Sequence, residues 1–384
     1  MRIGYDITAI SAQPSGVGNY AGYLLHHMVE AEPHHEYLLL SNRPAQPALL
    51  PSAAVARPAV QPFPSRALWM QLALPRGLRG LRPDLCHYPN SLGPLLNPCP
   101  YVVTIHDMTL SLLPQHHKFR TQLVVRPLIP LVARRAQRVI TVSEHARQDV
   151  IRVLRIPAER VVAIPEAAAA LFRPAPAADQ ARVRARYRLD RPYILYVGTL
   201  EPRKNLVRLI RAWHGLRRSG QIEHALVLTG ARGWKDQAIF DTVRELGCAD
   251  EVVFTGYVPR ADLPALYSGA ALFAFPSLSE GFGLPVVEAM ACGAPVLIST
   301  APALAEVAGD AAVQVDPASV AAIAAGLGRV LNDPALGADL RGRGLRRAAS
   351  FSWQAAAQQT LEMYRSALAS VQSAGDRWPV ARGR

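Results

Sequence analysis

The stretch Phe275-Pro276-Ser277-Leu278-Ser279-Glu280-Gly281-Phe282-Gly283-Leu284-Pro285-Val286-Val287-Glu288-Ala289-Met290-Ala291-Cys292-Gly293 decides how the chain is read. A short apolar run ending at Phe275 has the look of a buried strand, and glycines follow it at once. Pro285 suits the first position of a helix, which puts Glu288 in the first turn. The N–H groups from Gly281 through Phe282 and Gly283 to Leu284 then point, with the positive end of the helix dipole, at one spot, which is what a diphosphate needs. Glu280 and Glu288 flank that spot. Carboxylates accept hydrogen bonds from hydroxyls, so one suits a ribose and the other a sugar ring. Each acid also has an ordinary explanation, a dipole-stabilising first-turn acid or a solvated loop acid, and a short motif on its own is only a hypothesis.

Working outward, the same strand–loop–helix unit repeats along most of the chain, the signature of parallel sheets in an α/β fold. One series of apolar runs lies near Arg2–Asp6, Tyr37–Ser41, Leu85–Tyr88, Tyr101–His106, Arg138–Thr141 and Val161–Ile164, with helical periodicity near 18–30, 119–137 and 144–154. A second lies near Tyr193–Val197, Ala225–Thr229, Val252–Phe254, Leu272–Phe275, Pro295–Ile298 and Ala312–Val315, with helical stretches near 205–216, 238–246, 262–267 and 285–291. Between the series, Pro165 to Pro192 holds an Ala/Pro run and a basic helical stretch, and reads as the domain junction. Asn42 to Pro64 has six prolines and no apolar period, so it is expected to be an extended surface connection. Beyond Asp316 the pattern is helical to about Gln372, and 373–384 is expected to be a flexible tail.

The second series places further polar groups at strand ends. Gly198-Thr199-Leu200-Glu201-Pro202-Arg203-Lys204-Asn205 sets two cations just past a strand, at the mouth where open α/β sheets bind ligands. Arg offers a forked contact and Lys a point charge to phosphate oxygens. Gly230-Ala231-Arg232-Gly233-Trp234 and Phe254-Thr255-Gly256-Tyr257-Val258 follow the next two strands. In the first series His106-Asp107 ends a strand, either as a capping pair or as a reactive one, and the remaining histidines, His34 and His35 among them, are most simply surface residues. No D-x-D pair occurs, so cations and N–H groups are expected to neutralise a leaving group without a metal or other cofactor.

Taken together these segments resemble the retaining family-4 glycosyltransferases of the GT-B fold, those of bacterial mannosyltransferases in particular. The likeness covers nearly the whole chain, because Ser15-Gly16-Val17-Gly18-Asn19-Tyr20, Pro83-Asp84-Leu85, Thr104-Ile105-His106-Asp107, Thr141-Val142-Ser143 and Ala305-Glu306-Val307-Ala308-Gly309-Asp310 match as well. The resemblance implies two Rossmann-like domains facing across a deep cleft: an acceptor domain over 1–170, joined by the last helix at about 355–372, and a nucleotide-sugar domain over 190–354. It implies that Arg203 and Lys204 hold the donor diphosphate, with Gly198, Gly230, Tyr257, Val258 and the 281–284 stretch around the donor. Glu288 would take the ribose, Glu280 the hydroxyls of the transferred sugar, and His106 and Asp107 would lie beside the reacting sugar. Gly16, Val17 and Gly18 would form a loop near the phosphates and acceptor. Thr199 stands where many relatives carry a further Arg, and Pro165-Glu166 where relatives often carry Asn, so no role is carried to Glu166. The expected reaction moves a hexose, first of all mannose from GDP-mannose, to a saccharide or lipid-linked saccharide. A nucleotide-sugar epimerase, an NAD-dependent oxidoreductase and an inactive binding subunit are the alternatives. For the oxidoreductase, Gly16-Val17-Gly18-Asn19-Tyr20-Ala21 fits G-x-G-x-x-A, but nine residues separate it from the strand ending at Asp6, too many for the tight pyrophosphate turn.

Composition narrows the partners. Of 384 residues, 42 are Lys or Arg and 29 Asp or Glu, a net +13, and the excess is uneven: +10 over residues 1–190 against +3 over the remainder. Without a nucleic-acid module or interleaved aromatics, nucleic acid is excluded as a partner. An anionic membrane surface is the better candidate, met through the acid-free stretch from His116 to Arg135, where Pro127 and Pro130 kink a basic, apolar helix carrying Val124, Val125, Leu128, Ile129 and Leu131. The four cysteines form no C-x-x-C pair and no stretch reaches the roughly 18 apolar residues of a membrane span, so a cytoplasmic protein, peripheral on the inner face of the plasma membrane, is expected.

Overall fold

The computed structural model describes residues 1–11, 16–44, 50, 56–117 and 119–373. They form two compact units, one from residues within 1–114, 118–166 and 352–384, the other from 115–117 and 167–351.

The first unit is built on a seven-stranded parallel sheet of order β3-β2-β1-β4-β5-β6-β7. The strands are β1 Arg2–Asp6, β2 Glu36–Ser41, β3 Ala56–Val60, β4 Leu85–Tyr88, β5 Tyr101–Ile105, β6 Arg138–Thr141 and β7 Val161–Ala163. Apart from the half-exposed edge strand β3, their mainly apolar sequences are what strands buried on both faces require. The order reverses between β1 and β4, a topological switch point at whose carboxyl edge open α/β sheets take their ligands. The last helix, Trp353–Ser373, belongs to this unit: Trp353 packs on Tyr20 and Tyr23 of the helix Gly16–Ala31, and Tyr364 reaches the fully buried His87.

The second unit holds six parallel strands in the order β10-β9-β8-β11-β12-β13. These are β8 Tyr193–Val197, β9 Ala225–Thr229, β10 Val252–Gly256, β11 Leu272–Phe275, β12 Val296–Ser299 and β13 Val313–Val315. Here the reversal falls between β8 and β11. The unit takes in the helix Ala177–Arg186, whose Arg182 and Arg186 pair with the buried Asp262 at 3.0 and 3.1 Å.

Four local expectations are corrected. Ala56–Val60 is not a loop but the edge strand β3, in parallel register with Tyr37–Ser41; Pro58 is tolerated because an edge strand pairs on one side only. The rest of that connection, 45–49 and 51–55, lies outside the described residues, as do Ser15 and the expected tail from 374 on. Arg66 to Leu81, for which no helix is expected, is helical throughout, with a π-helical turn at Trp69–Ala73. That turn spaces the buried Trp69 and Leu74 by five residues, which hides the 3.6 period. The helix expected over 119–137 divides into Phe119–Val124 and Leu128–Arg135 at Pro127, while Pro130 falls in the first turn of the second piece, where its missing N–H costs no hydrogen bond. The helix Leu284–Ala291 places Pro285 second and Glu288 in the second turn, not the first.

Candidate functional site

In the second unit the loops after β8 and β11 meet at the switch point. Pro202–Lys204 forms a single 3-10 turn after β8. Asn205 then adopts a left-handed conformation, and its side-chain amide donates to the carbonyls of Pro276 and Pro317 at 3.0 and 2.8 Å, fastening three loops together. Arg203 Nη1 lies 2.8 Å from Glu280 Oε2 and donates to Ser279 O at 2.6 Å; Lys204 Nζ lies 2.6 Å from Glu280 Oε1. Arg203 Nη2 also holds Glu201 Oε1 at 2.7 Å, and Lys204 Nζ stands 4.9 Å from the centre of the Phe275 ring. All four charged side chains are largely buried. Burial pushes the Glu280 carboxyl up, but the charges and hydrogen bonds of Arg203 and Lys204 outweigh it and hold it at about 2. Burial and the Arg203 charge lower Lys204 below the ordinary lysine value, against the pull of Glu280.

Two glycines let these loops approach. A Cβ on Gly230 would stand 2.0 Å from Gly198 O, and Gly230 has φ +145°. Gly283, with φ +106°, turns the chain from Gly281 and Phe282 into the helix at Leu284, where a Cβ would strike Leu304 at 2.5 Å. Glu288, 5% exposed, does not sit with Glu280 on the two cations: its Oε1 lies 3.3 Å from Arg260 Nη2 and its Oε2 accepts from Tyr267 O–H at 3.2 Å. The Arg260 guanidinium is 5.0 Å from the Phe172 ring centre. Tyr257 is exposed and Val258 buried after β10.

In the first unit, His106 follows β5. Its Nε2 is 2.8 Å from Pro89 O, its Nδ1 is 3.4 Å from Glu166 Oε1, and its ring meets Tyr20 edge-on at 4.7 Å between centroids. Asp107 has a structural task, since its Oδ1 accepts from the Thr109 N–H at 2.8 Å and hydroxyl at 2.5 Å and so caps the short helix Thr109–Leu112. Gly16, Val17 and Gly18 are not a loop; they are the first turn of the helix Gly16–Ala31, with Gly18 buried. His35 is buried rather than on the surface, and with Glu32 and His34 it makes the one group among the described residues whose ligand atoms lie close enough for a metal. Glu32 of that group is held by Arg365.

Both halves match known protein families. Residues 14–168 match Glycosyltransferase Family 4, and residues 179–347 match Glycosyl transferases group 1. O-antigen chain mannosyltransferase B of Escherichia coli is 37% identical over 266 residues, which span 69% of this chain and 70% of that protein. The chain belongs to the family-4 glycosyltransferases. This glycosyltransferase is therefore a retaining hexosyltransferase with two Rossmann-like halves. A second Escherichia coli relative, the serotype-specific mannosyltransferase WbdA, is 34% identical over 62% of this chain but only 30% of its own length. For the fold, sucrose-phosphate synthase from Thermosynechococcus elongatus superposes with a TM-score of 0.77 at 23% identity, over 96% of this chain and all of that one, which places the glycosyltransferase in the GT-B fold.

Three residues of the glycosyltransferase's candidate site escape sequence reasoning. Glu201 stands inside a quoted motif, yet nothing in the sequence says that it would hold Arg203 or that its Oε2 would be buried without a hydrogen-bond partner. Arg260 meets Glu288 across 28 residues, and Glu166 meets His106 across 60. For Arg260 the signal available was its place after β10, among the strand-end loops.

Proposed function

We propose that the glycosyltransferase moves mannose from GDP-mannose to a hydroxyl of a saccharide or lipid-linked saccharide during synthesis of a cell-surface polysaccharide, without a metal ion. The mannosyltransferase relatives support the sugar, and through it the donor. The observation that carries the mechanism is the cluster of Arg203, Lys204 and Glu280 at the switch point of the second sheet. The Glu280 carboxylate bridges both cations, with its two oxygens where a diphosphate would offer its own. Donor binding exchanges these partners: the cations pass to the diphosphate, and Glu280, ionised at neutral pH, turns to the hydroxyls of the sugar. Glu288 receives the ribose. The C1–O bond then breaks with its electron pair leaving on the diphosphate, where Arg203 and Lys204 neutralise the charge, and the acceptor oxygen bonds to C1 on the same face. Mass spectrometry of donor turnover over a panel of nucleotide sugars tests the reading. Turnover of GDP-mannose with retention supports it, turnover of another donor alone replaces the sugar, and no turnover of any donor overturns it.

The lipid-linked form of the acceptor draws on the two short helices Phe119–Val124 and Leu128–Arg135. Ile129 is buried in the core and faces away from any membrane, while Arg134 and Arg135, which donate to the carbonyls of Leu154 and Leu95, stay exposed. Leu123, Val124 and Leu131 are exposed with them, and Arg126 lies between. Beside the second helix, a cavity of about 470 Å³ is lined by Leu95, Leu96 and Tyr101 together with Arg79 and Arg135, a mixture suited to an acyl or isoprenyl phosphate. No helix among the described residues is long and apolar enough to cross a membrane, so the association proposed is peripheral, on the cytoplasmic face.

A further inference from the structure

Glu166 lies in the segment after β7 and is 5% exposed, yet its carboxylate points at a residue two strands away, His106 at the end of β5. The His106 ring is held on both sides. Nε2 is 2.8 Å from the Pro89 carbonyl, which can only accept, so Nε2 carries a proton. Nδ1 is 3.4 Å from Glu166 Oε1, and an ionised carboxylate also only accepts, so a bare Nδ1 would set lone pair against lone pair. With Tyr20 packed edge-on at 88° to its plane, the ring has little freedom to turn.

The geometry points to Glu166 as a positioning residue that keeps His106 a fixed imidazolium, with neither ring nitrogen able to take a proton from the acceptor hydroxyl. The inference rests on the proposed transfer reaction and on the place beside the reacting sugar that the family resemblance implies for His106. A permanently charged imidazolium cannot serve as the general base, so the acceptor's proton departs to the diphosphate oxygen released from C1. The titratable groups around the ring agree. Glu166 and Asp107 favour the cation; His87, buried and held neutral with its pKa lowered to about 3 by burial, adds no competing charge; Tyr20, pushed up by burial, stays un-ionised. Burial by itself lowers His106, but the Glu166 hydrogen bond and charge, the Pro89 carbonyl and Asp107 outweigh it and leave it above the ordinary histidine value.

The test is nitrogen-15 NMR of the histidine rings in the full chain, assigned with His106→Gln, alongside kcat against pH. In the wild type both His106 nitrogens should show protonated shifts at pH 7. Glu166→Gln should move the His106 midpoint down by a pH unit or more, and Glu166→Asp should restore most of it. Transfer should then separate from a general loss of structure: Glu166→Gln should keep kcat within twofold at pH 5.5 and lose about tenfold at pH 7.5, with KM for the donor little changed. An unprotonated Nδ1 at pH 7 in the wild type, or a uniform fall in kcat at every pH, overturns the inference. If the Gln variant does not fold, the wild-type spectrum and the Asp variant still decide it. If the wild type turns over no nucleotide sugar, the functional reading falls, while the NMR result still judges the Glu166–His106 pair.

Discussion

Charge is held in opposite ways in the two sheets. At the β8/β11 reversal, two cations and two carboxylates pair mainly with one another, Arg203 donating also to the Ser279 carbonyl, so the four charges balance and the ion pairs can be exchanged. Beside the β1/β4 reversal, His106 is fixed by a backbone carbonyl, a carboxylate and an aromatic edge, and Asp107 is spent on a helix cap. On the proposed reading the difference separates two tasks: a site that would accept and release a dianion is built from exchangeable ion pairs, whereas one that would present a fixed charge is pinned by a backbone carbonyl and an aromatic ring.

The largest effect should come from removing a cation from the exchangeable side. Lys204→Ala is expected to lower kcat by about 10²–10³-fold, the scale of one preorganised electrostatic donor, and steady-state transfer assays measure it. Activity within threefold of wild type would show that the cluster is structural. The same assay in EDTA should keep its rate, since the cations are proposed to replace a metal. Next, Glu288→Gln should weaken nucleoside diphosphate binding by roughly 10–100-fold, the value of hydrogen bonds to a charged group, as read by calorimetry. Glu280→Gln should act with the opposite sign. By removing the carboxylate that competes for Arg203 and Lys204, it should tighten nucleoside diphosphate a few-fold while sugar transfer falls; equal losses in both variants would erase the distinction between the carboxylates.

A pH dependence sharpens the contrast. Glu280 is held at about 2, below its ordinary range, so its ion pairs contribute stability that is fully present above pH about 4.5 and is lost as pH falls toward 2. His106 is raised, so its pair with Glu166 contributes below the ordinary histidine value and is lost as pH rises through the folded one. Thermal melts from pH 3 to 9 should therefore lose their acid dependence in part in Glu280→Gln and their alkaline dependence in part in Glu166→Gln. The smallest effect belongs to the membrane face. Arg126→Glu should reduce binding to anionic vesicles several-fold at low salt, on the scale of about 1 kcal/mol per base, and co-sedimentation with neutral vesicles should show no binding by either protein.

The sequence disclosed what local pattern encodes. Apolar runs marked twelve of the strands, because a strand buried on both faces has nowhere to hide a polar residue. It missed β3, whose Ala-Arg-Pro-Ala-Val is half exposed at an edge, and the helical stretch at 66–81, whose π turn breaks the period. Arg203, Lys204 and Glu280 were legible as charges at strand ends, but their mutual clamp was not, because it depends on β8 and β11 becoming neighbours across 76 residues of chain. The same holds for Glu166 and Arg260: ion pairs between strand-end loops leave no periodic trace in a sequence. Nor does composition say that Arg134 and Arg135 would also bind the carbonyls of Leu154 and Leu95, or that Ile129 would be buried.

The hydrogen bond between His87 and Tyr364 joins positions 277 residues apart. At about 5–20 residues per second of synthesis, roughly 15–55 s pass between the emergence of the two, and the second unit is made in that interval. Until the last helix arrives, the face of the helix Gly16–Ala31 that receives Trp353 remains bare, and His87 waits for its partner. The birth order of the chain therefore runs against its architecture: the half that is translated first is completed last, and a ribosome stalled short of Trp353 would release a finished second unit attached to an open, aggregation-prone first one.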